Sequence, residues 1–188
     1  MKKSTKIFAS AAAVVAMFIG LNSANAQTQP VNDGDSKALR LGVGVSAGIP
    51  TNDDYNIALG ADLRLQKDFF SNISGTLSAG YTNFSVKDES KTALGYESKG
   101  WVPVKVGIKI FPVSRFYISG EVGAAFGTDK GQGTALVYAP GIGLGTNTGI
   151  DIGLRYEGLA KDNINFPRGG TNLGQVALRL AYGFKLNK

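Results

Sequence analysis

At 188 residues, with 20 Lys and Arg against 14 Asp and Glu, the chain has room for one domain and shows no basic stripe of the kind that binds nucleic acid. It contains no cysteine and no histidine. That excludes disulfides and a cysteine-linked lipid anchor, and removes the side chain best suited to proton transfer near neutral pH. No catalytic, cofactor or metal site is expected, since the thiol and imidazole ligands are missing as well.

The N-terminus carries Lys2, Lys3 and Lys6, then an apolar, alanine-rich run from Ile7 to Leu21, then Ala24-Asn25-Ala26. This is the layout of a cleaved signal peptide over residues 1–26, with the cut before Gln27. The apolar run is short for an uncleaved membrane helix, which needs about 20 residues. The leader holds three of the 20 bases and no acid, so 17 bases face 14 acids in the remainder. Much of the apparent basicity thus belongs to the leader. Residues 27–37 (QTQPVNDGDSK) are polar and predict a flexible periplasmic lead-in.

From residue 38 onward the hydrophobicity alternates with a period of two, the signature of strands with one apolar and one polar face. Strand 1 sets Leu39, Leu41, Val43, Val45, Ala47 and Ile49 on one face, and a loop over Pro50–Asn56 follows. Strand 2 alternates Ile57, Leu59, Ala61, Leu63 and Leu65 with Asp62, Arg64 and Gln66. A turn is expected over Lys67–Asn72, before strand 3 with Ile73, Leu77, Ala79 and Tyr81 on the apolar face. The longest connection, Asn83 to Gly100, mixes Lys87, Asp88, Glu89, Lys91, Tyr96, Glu97 and Lys99 and names no ligand.

Strand 4 alternates Val102, Val104, Val106, Ile108 and Ile110 with Lys105, Gly107 and Lys109; Pro112–Arg115 turns the chain. Strand 5 sets Phe116, Ile118, Val122, Ala124 and Phe126 against Ser119, Glu121 and Gly123. Strand 6, after a polar loop, sets Leu136, Tyr138, Pro140, Ile142 and Leu144 against Ala139 and three glycines. Pro103 and Pro140 each lack a ladder donor, which predicts a bulge or an interruption at each. Thr146–Gly149 is a tight turn. Strand 7 alternates Ile150, Ile152, Leu154 and Tyr156 with Asp151, Arg155 and Glu157. After a loop over Ala160–Asn172, strand 8 ends with Val176, Leu178, Leu180, Tyr182 and Phe184 on the apolar face.

Eight strands bring both chain ends to one side, and the connections alternate between about 7, 18, 8 and 13 residues and short turns of about 4 to 6. Short turns on one side and long loops on the other, behind a secretory leader, predict an all-β fold with grease outward: an eight-stranded antiparallel up-and-down transmembrane β-barrel over 38–188, in the outer membrane. The polar faces then line the lumen. They bring Arg40, Asp62, Arg64, Lys105, Lys109, Glu121, Asp151, Arg155, Glu157 and Arg179 inside, six bases and four acids. The interior of eight strands is just wide enough for side chains to fill, so a plug of ion pairs is expected. A surplus of two positive charges leaves open a narrow, anion-favouring channel. A soluble periplasmic ligand-binding barrel would need the apolar faces turned inward.

Aromatics predict two girdles at the strand ends: Phe69, Phe70, Phe111, Phe116, Tyr182 and Phe184 on the turn side, and Tyr81, Phe84, Trp101, Phe126, Tyr138 and Tyr156 on the loop side. Other motifs carry less. Asp62 with Glu121 has the makings of a carboxylate pair, but Arg64 and Lys105 favour salt bridging. Asn52-Asp53-Asp54 is a solvated loop tip before it is a cation site. Gly141-Ile142-Gly143-Leu144-Gly145 lacks the spacing and the following helix of a nucleotide-binding fingerprint.

With its eight segments and the ending Ala181-Tyr182-Gly183-Phe184-Lys185-Leu186-Asn187-Lys188, the chain resembles the small outer-membrane barrels: the transmembrane part of outer membrane protein A, the outer membrane protein X group and the opacity-type proteins. The resemblance spans about Ala38 to Lys188. It implies recognition of the terminal strand by the barrel-assembly machinery, contact with outer-membrane lipid and lipopolysaccharide, and a role in envelope integrity and loop-mediated contacts. Family members often end on an aromatic, whereas four residues follow Phe184 here. That departure calls for either a tolerated extension or a longer last strand. Cell-wall anchoring, which the full-length A-type protein gains from a further domain, is not carried over.

Overall fold

A computed structural model of the chain describes residues 39–70, 72–87, 98–113, 115–146, 148–160 and 172–186. The leader, the lead-in and most of the two long connections lie outside these residues. Eight strands follow in order: β1 Leu39–Pro50, β2 Tyr55–Phe70, β3 Ile73–Val86, β4 Lys99–Ile110, β5 Phe116–Gly127, β6 Thr134–Gly145, β7 Ile150–Ala160 and β8 Asn172–Lys185. Each pairs antiparallel with the next and β8 pairs with β1, which closes the barrel.

Alternation fixes the register. Leu41 lies opposite Leu65 and Val43 opposite Leu63, while Gly44 meets Asp62 and Gly42 meets Arg64. A slip of one residue would turn every apolar side chain of a strand to the opposite face. Outward positions such as Leu63, Val106, Ile152 and Leu178 are exposed, and the inward polar positions of the same strands are buried.

The strands run further than alternation alone suggested. β2 continues to Phe70, with a register shift between Asp68 and Phe70, so Lys67–Phe70 belongs to a strand rather than a turn. Asp68 pairs with Ser74 and points inward. β3 continues past Tyr81 to Val86, which shortens the connection expected over Asn83–Gly100. β8 reaches Lys185, one residue beyond Phe184.

Both prolines interrupt one ladder. On the β3 side of Pro103 the pairing lapses between Ala79–Val104 and Thr82–Trp101, yet Pro103 still faces Ala125 on β5. Around Pro140 it lapses between Tyr138–Gly158 and Gly141–Arg155. Neither gap changes the register, so these are interruptions and not bulges, as a missing N–H requires. In the β6–β7 turn, Gly149 adopts φ 95°, a left-handed value that a Cβ would strain, and its N–H reaches Thr146 O at 3.2 Å.

Candidate functional site

Among the described residues, buried charge collects in the barrel interior. All ten inward charges named from the sequence are buried there, and Asp68, Gln66, Ser74, Tyr117 and Gln175 are buried with them. Near the turn side Arg40 pairs with Asp68, whose carboxylate also accepts from Ser74 Oγ at 2.5 Å and Gln66 Nε2 at 3.2 Å. Beside it Lys109 Nζ reaches Asp151 at 2.5 Å and stands 4.0 Å from the centre of the Tyr117 ring, while Tyr117 donates its hydroxyl to Asp151 at 2.7 Å.

In the middle of the barrel Arg64 meets Glu121 at 3.0 Å, and Ser78 and Thr76 donate to the same carboxylate at 3.3 and 3.4 Å. Arg179 grips Asp62 through Nη2 at 2.6 Å and Nε at 2.9 Å. Further up, Lys105 Nζ lies 2.5 Å from Glu157, which also accepts from Gln175 at 3.2 Å. Arg155 is held more loosely, 3.5 Å from Glu157 and 3.9 Å from Asp62. Asp62 and Glu121 are each engaged by an arginine rather than by one another.

Asp68 changes the charge count. Alternation predicted six bases and four acids; with Asp68 inside, five acids of the described strands face the same six bases. The surplus of two that an anion-favouring channel would draw on falls to one.

At the loop-side end the interior is apolar. Tyr55, Ala58, Phe84, Val86, Trp101, Ala125, Ala135, Val137, Leu159 and Leu173 form one buried cluster, in which Tyr55 and Phe84 meet edge to face at 5.9 Å. The expected girdle positions of Phe84 and Trp101 are therefore corrected: at 0 and 2 % exposure they face inward. Phe111, expected on the turn-side girdle, is also buried, against Tyr117 with ring centres 5.7 Å apart. Parity explains all three. Phe84 shares its face with Ser78 and Thr82, and Trp101 and Phe111 share theirs with Lys105 and Lys109. A lumen that is polar throughout does not form; a charged section is capped by a hydrophobic one.

The other nine aromatics stand on the outer face. Phe69, Phe70, Tyr81, Phe126 and Tyr138 are exposed; Phe116, Tyr156, Tyr182 and Phe184 are half-buried. Several cover glycines on a neighbouring strand. A Cβ at Gly75 would come within 2.5 Å of Phe69, one at Gly158 within 2.4 Å of Tyr138, and one at Gly174 within 2.6 Å of Tyr156. At the β1–β2 tip, Asn52 Oδ1 accepts from the Asp54 backbone N–H at 3.0 Å, the local bond of a turn.

With the apolar face outside and the ion pairs inside, the geometry can be set against known structures. Ail, the attachment invasion locus protein of Yersinia pestis, matches in its crystal structure with a TM-score of 0.53 and 16% identity, over 79% of this chain and 99% of Ail. Its backbone structure in a phospholipid bilayer nanodisc matches with a TM-score of 0.53 and 18% identity, over 76% of this chain and 99% of that one. The chain shares the fold of an outer-membrane barrel. At such identities the likeness is one of fold alone. No protein-family model matches the chain, and no curated protein matches it in sequence.

Chemically the interior is a filled core. Each carboxylate is engaged by a cation, and the polar section is closed toward the loops by aromatic and aliphatic side chains. Alternation found the inward charges. It missed Asp68 because a charged residue beside two phenylalanines reads as a turn, and it missed the apolar cap because parity was not carried past the strand ends.

Proposed function

We propose that the protein is an outer-membrane barrel of a Gram-negative-type envelope whose role is structural and interactive. The signal peptide over 1–26 delivers it across the inner membrane, the barrel-assembly machinery inserts it, and lipid and lipopolysaccharide surround it. It contributes to envelope integrity and presents the long connections between β3 and β4 and between β7 and β8 as its contact surface.

The inverted distribution of polarity carries this reading. Leu63, Val106, Ile118, Ile152, Leu154 and Leu178 are exposed around the whole barrel, while eleven charged side chains of the strands are buried. A water-soluble protein rarely exposes contiguous apolar patches beyond a few hundred Å². Hydrocarbon reverses the preference, and a closed barrel leaves no backbone edge unsatisfied there. The same distribution argues against a soluble ligand-binding barrel, and the apolar cap argues against an open channel. The fold likeness to Ail is in keeping with the membrane reading.

The test is cell fractionation of the full-length protein, followed by gel mobility of the detergent-solubilised outer-membrane fraction before and after boiling. An outer-membrane band whose mobility changes on heating is expected. A soluble periplasmic protein with unchanged mobility would overturn the reading.

A further inference from the structure

We propose that the charged section of the barrel interior is a binding site for one small monovalent anion, a halide in the first instance, held among Arg40, Arg64, Lys109 and Arg179. These four cations line one space of about 20 Å³; Gln66 and a single carboxylate, Asp151, complete its polar lining. The room exists because Gly42, Ala181 and Gly183 point inward at this level. A Cβ on Gly42 would find its nearest neighbour, Arg64 O, only at 3.5 Å. One water needs about 10–15 Å³, so the space takes one small particle and no more.

Charge selects the particle. Five acids form one close pair each: Asp68 with Arg40, Glu121 with Arg64, Glu157 with Lys105, Asp151 with Lys109 and Asp62 with Arg179. Arg155 remains, sharing Glu157 and Asp62 from 3.5 and 3.9 Å with cations that hold them more closely. An uncompensated charge in a dry interior costs several kcal/mol, and an arginine cannot shed its proton. Arg155 lies outside this space, so the selection is local: four cations face one carboxylate across it, and a halide offsets their charge where a water only solvates it. Arg64 adds a directional donor: its Nε–H is buried and, among the described residues, has no hydrogen-bond partner. The site is independent of what surrounds the barrel, so it stands or falls apart from the membrane assignment.

The experiment refolds the protein in detergent in bromide, so that the site fills as the barrel closes, and locates bromide by anomalous diffraction. A peak among Arg40, Arg64, Lys109 and Arg179 is expected. No peak there, or bromide found only on the outer surface, overturns the proposal. A second arm measures unfolding midpoints in sodium bromide and in sodium gluconate at equal ionic strength. The apparent folding constant should rise tenfold for each tenfold increase in bromide above saturation, and not with gluconate. Gly42→Val, which fills the space without altering any charge, should remove the bromide dependence. Equal stability in the two salts, or a bromide dependence that survives Gly42→Val, overturns the site as drawn.

Discussion

Arg179 of β8 reaches Asp62 of β2 across the whole width of β1, closing a two-point grip at 2.6 and 2.9 Å over a separation of 117 residues. The intervening position is Gly44, which pairs with Asp62 on one side and Ala181 on the other. A Cβ there would sit 2.7 Å from Arg179 Nη2 and 2.8 Å from Cζ. The glycine is thus what lets the guanidinium lie flat over the strand. The seam where the first strand meets the last is bridged on the inside by a side-chain pair as well as by its ladder.

Removing one partner of this grip should be far worse than removing both. Asp62→Ala leaves Arg179 buried with its close partner gone and only the looser pair to Asp151 at 3.6 Å, with an expected loss of about 3–5 kcal/mol. Asp62→Ala combined with Arg179→Met takes the stranded charge away and should recover most of that loss. Reversible urea unfolding in detergent or lipid, run as a double-mutant cycle, checks it. A double variant no more stable than Asp62→Ala alone would mean that the grip is not the relevant coupling.

Glycine positions separate into those the interior needs and those it does not. Gly44→Val should cost about 1–3 kcal/mol by forcing the guanidinium off Asp62. Gly120 lies on the outer face of β5, where an added Cβ would meet nothing within 4 Å, so Gly120→Ala should be neutral or gain about 0.4–1 kcal/mol from a less flexible unfolded chain. The two midpoints measured side by side decide it; equal losses would contradict the difference in surroundings.

How much of this was legible depends on the link in question. Alternation sufficed for the number of strands, their order and the inward side of every named charge, because one face of each strand is apolar along its length. The interruptions at Pro103 and Pro140 followed from a missing N–H. Pairing across the interior did not follow. Arg64 finds Glu121 57 residues away, and which inward charges share a level depends on the stagger with which the sheet closes, not on period-two patterning. The inward turn of Phe84 and Trp101 was within reach, since each keeps the parity of its strand. Aromatic residues near strand ends suggested girdles instead, and residue type outweighed position.

The apolar cap should behave as a core and not as a girdle. Phe84 is fully buried, and Phe84→Ala should cost about 3–5 kcal/mol through lost contacts and a cavity that its neighbours only partly fill. Phe126 faces outward at 47 % exposure, so Phe126→Ala leaves no internal cavity and should cost clearly less. Urea midpoints of the two variants in the same lipid test the ranking. A Phe84→Ala loss no larger than that of Phe126→Ala would return Phe84 to the outer face.

Trp101 is the only tryptophan, which makes the orientation of the cap directly observable. At 2 % exposure, among the apolar side chains of the cap, its indole should emit at short wavelength and resist acrylamide. It should also be quenched only weakly by lipids brominated on their acyl chains, because the barrel wall stands between. Trp101→Phe combined with Val104→Trp moves the probe by three residues onto the outward face of the same strand, where Val104 is 40 % exposed. In that variant the brominated lipids should quench strongly while acrylamide remains ineffective. Comparable lipid quenching of the two proteins would place Trp101 in the lipid-facing band and remove the cap from the barrel interior.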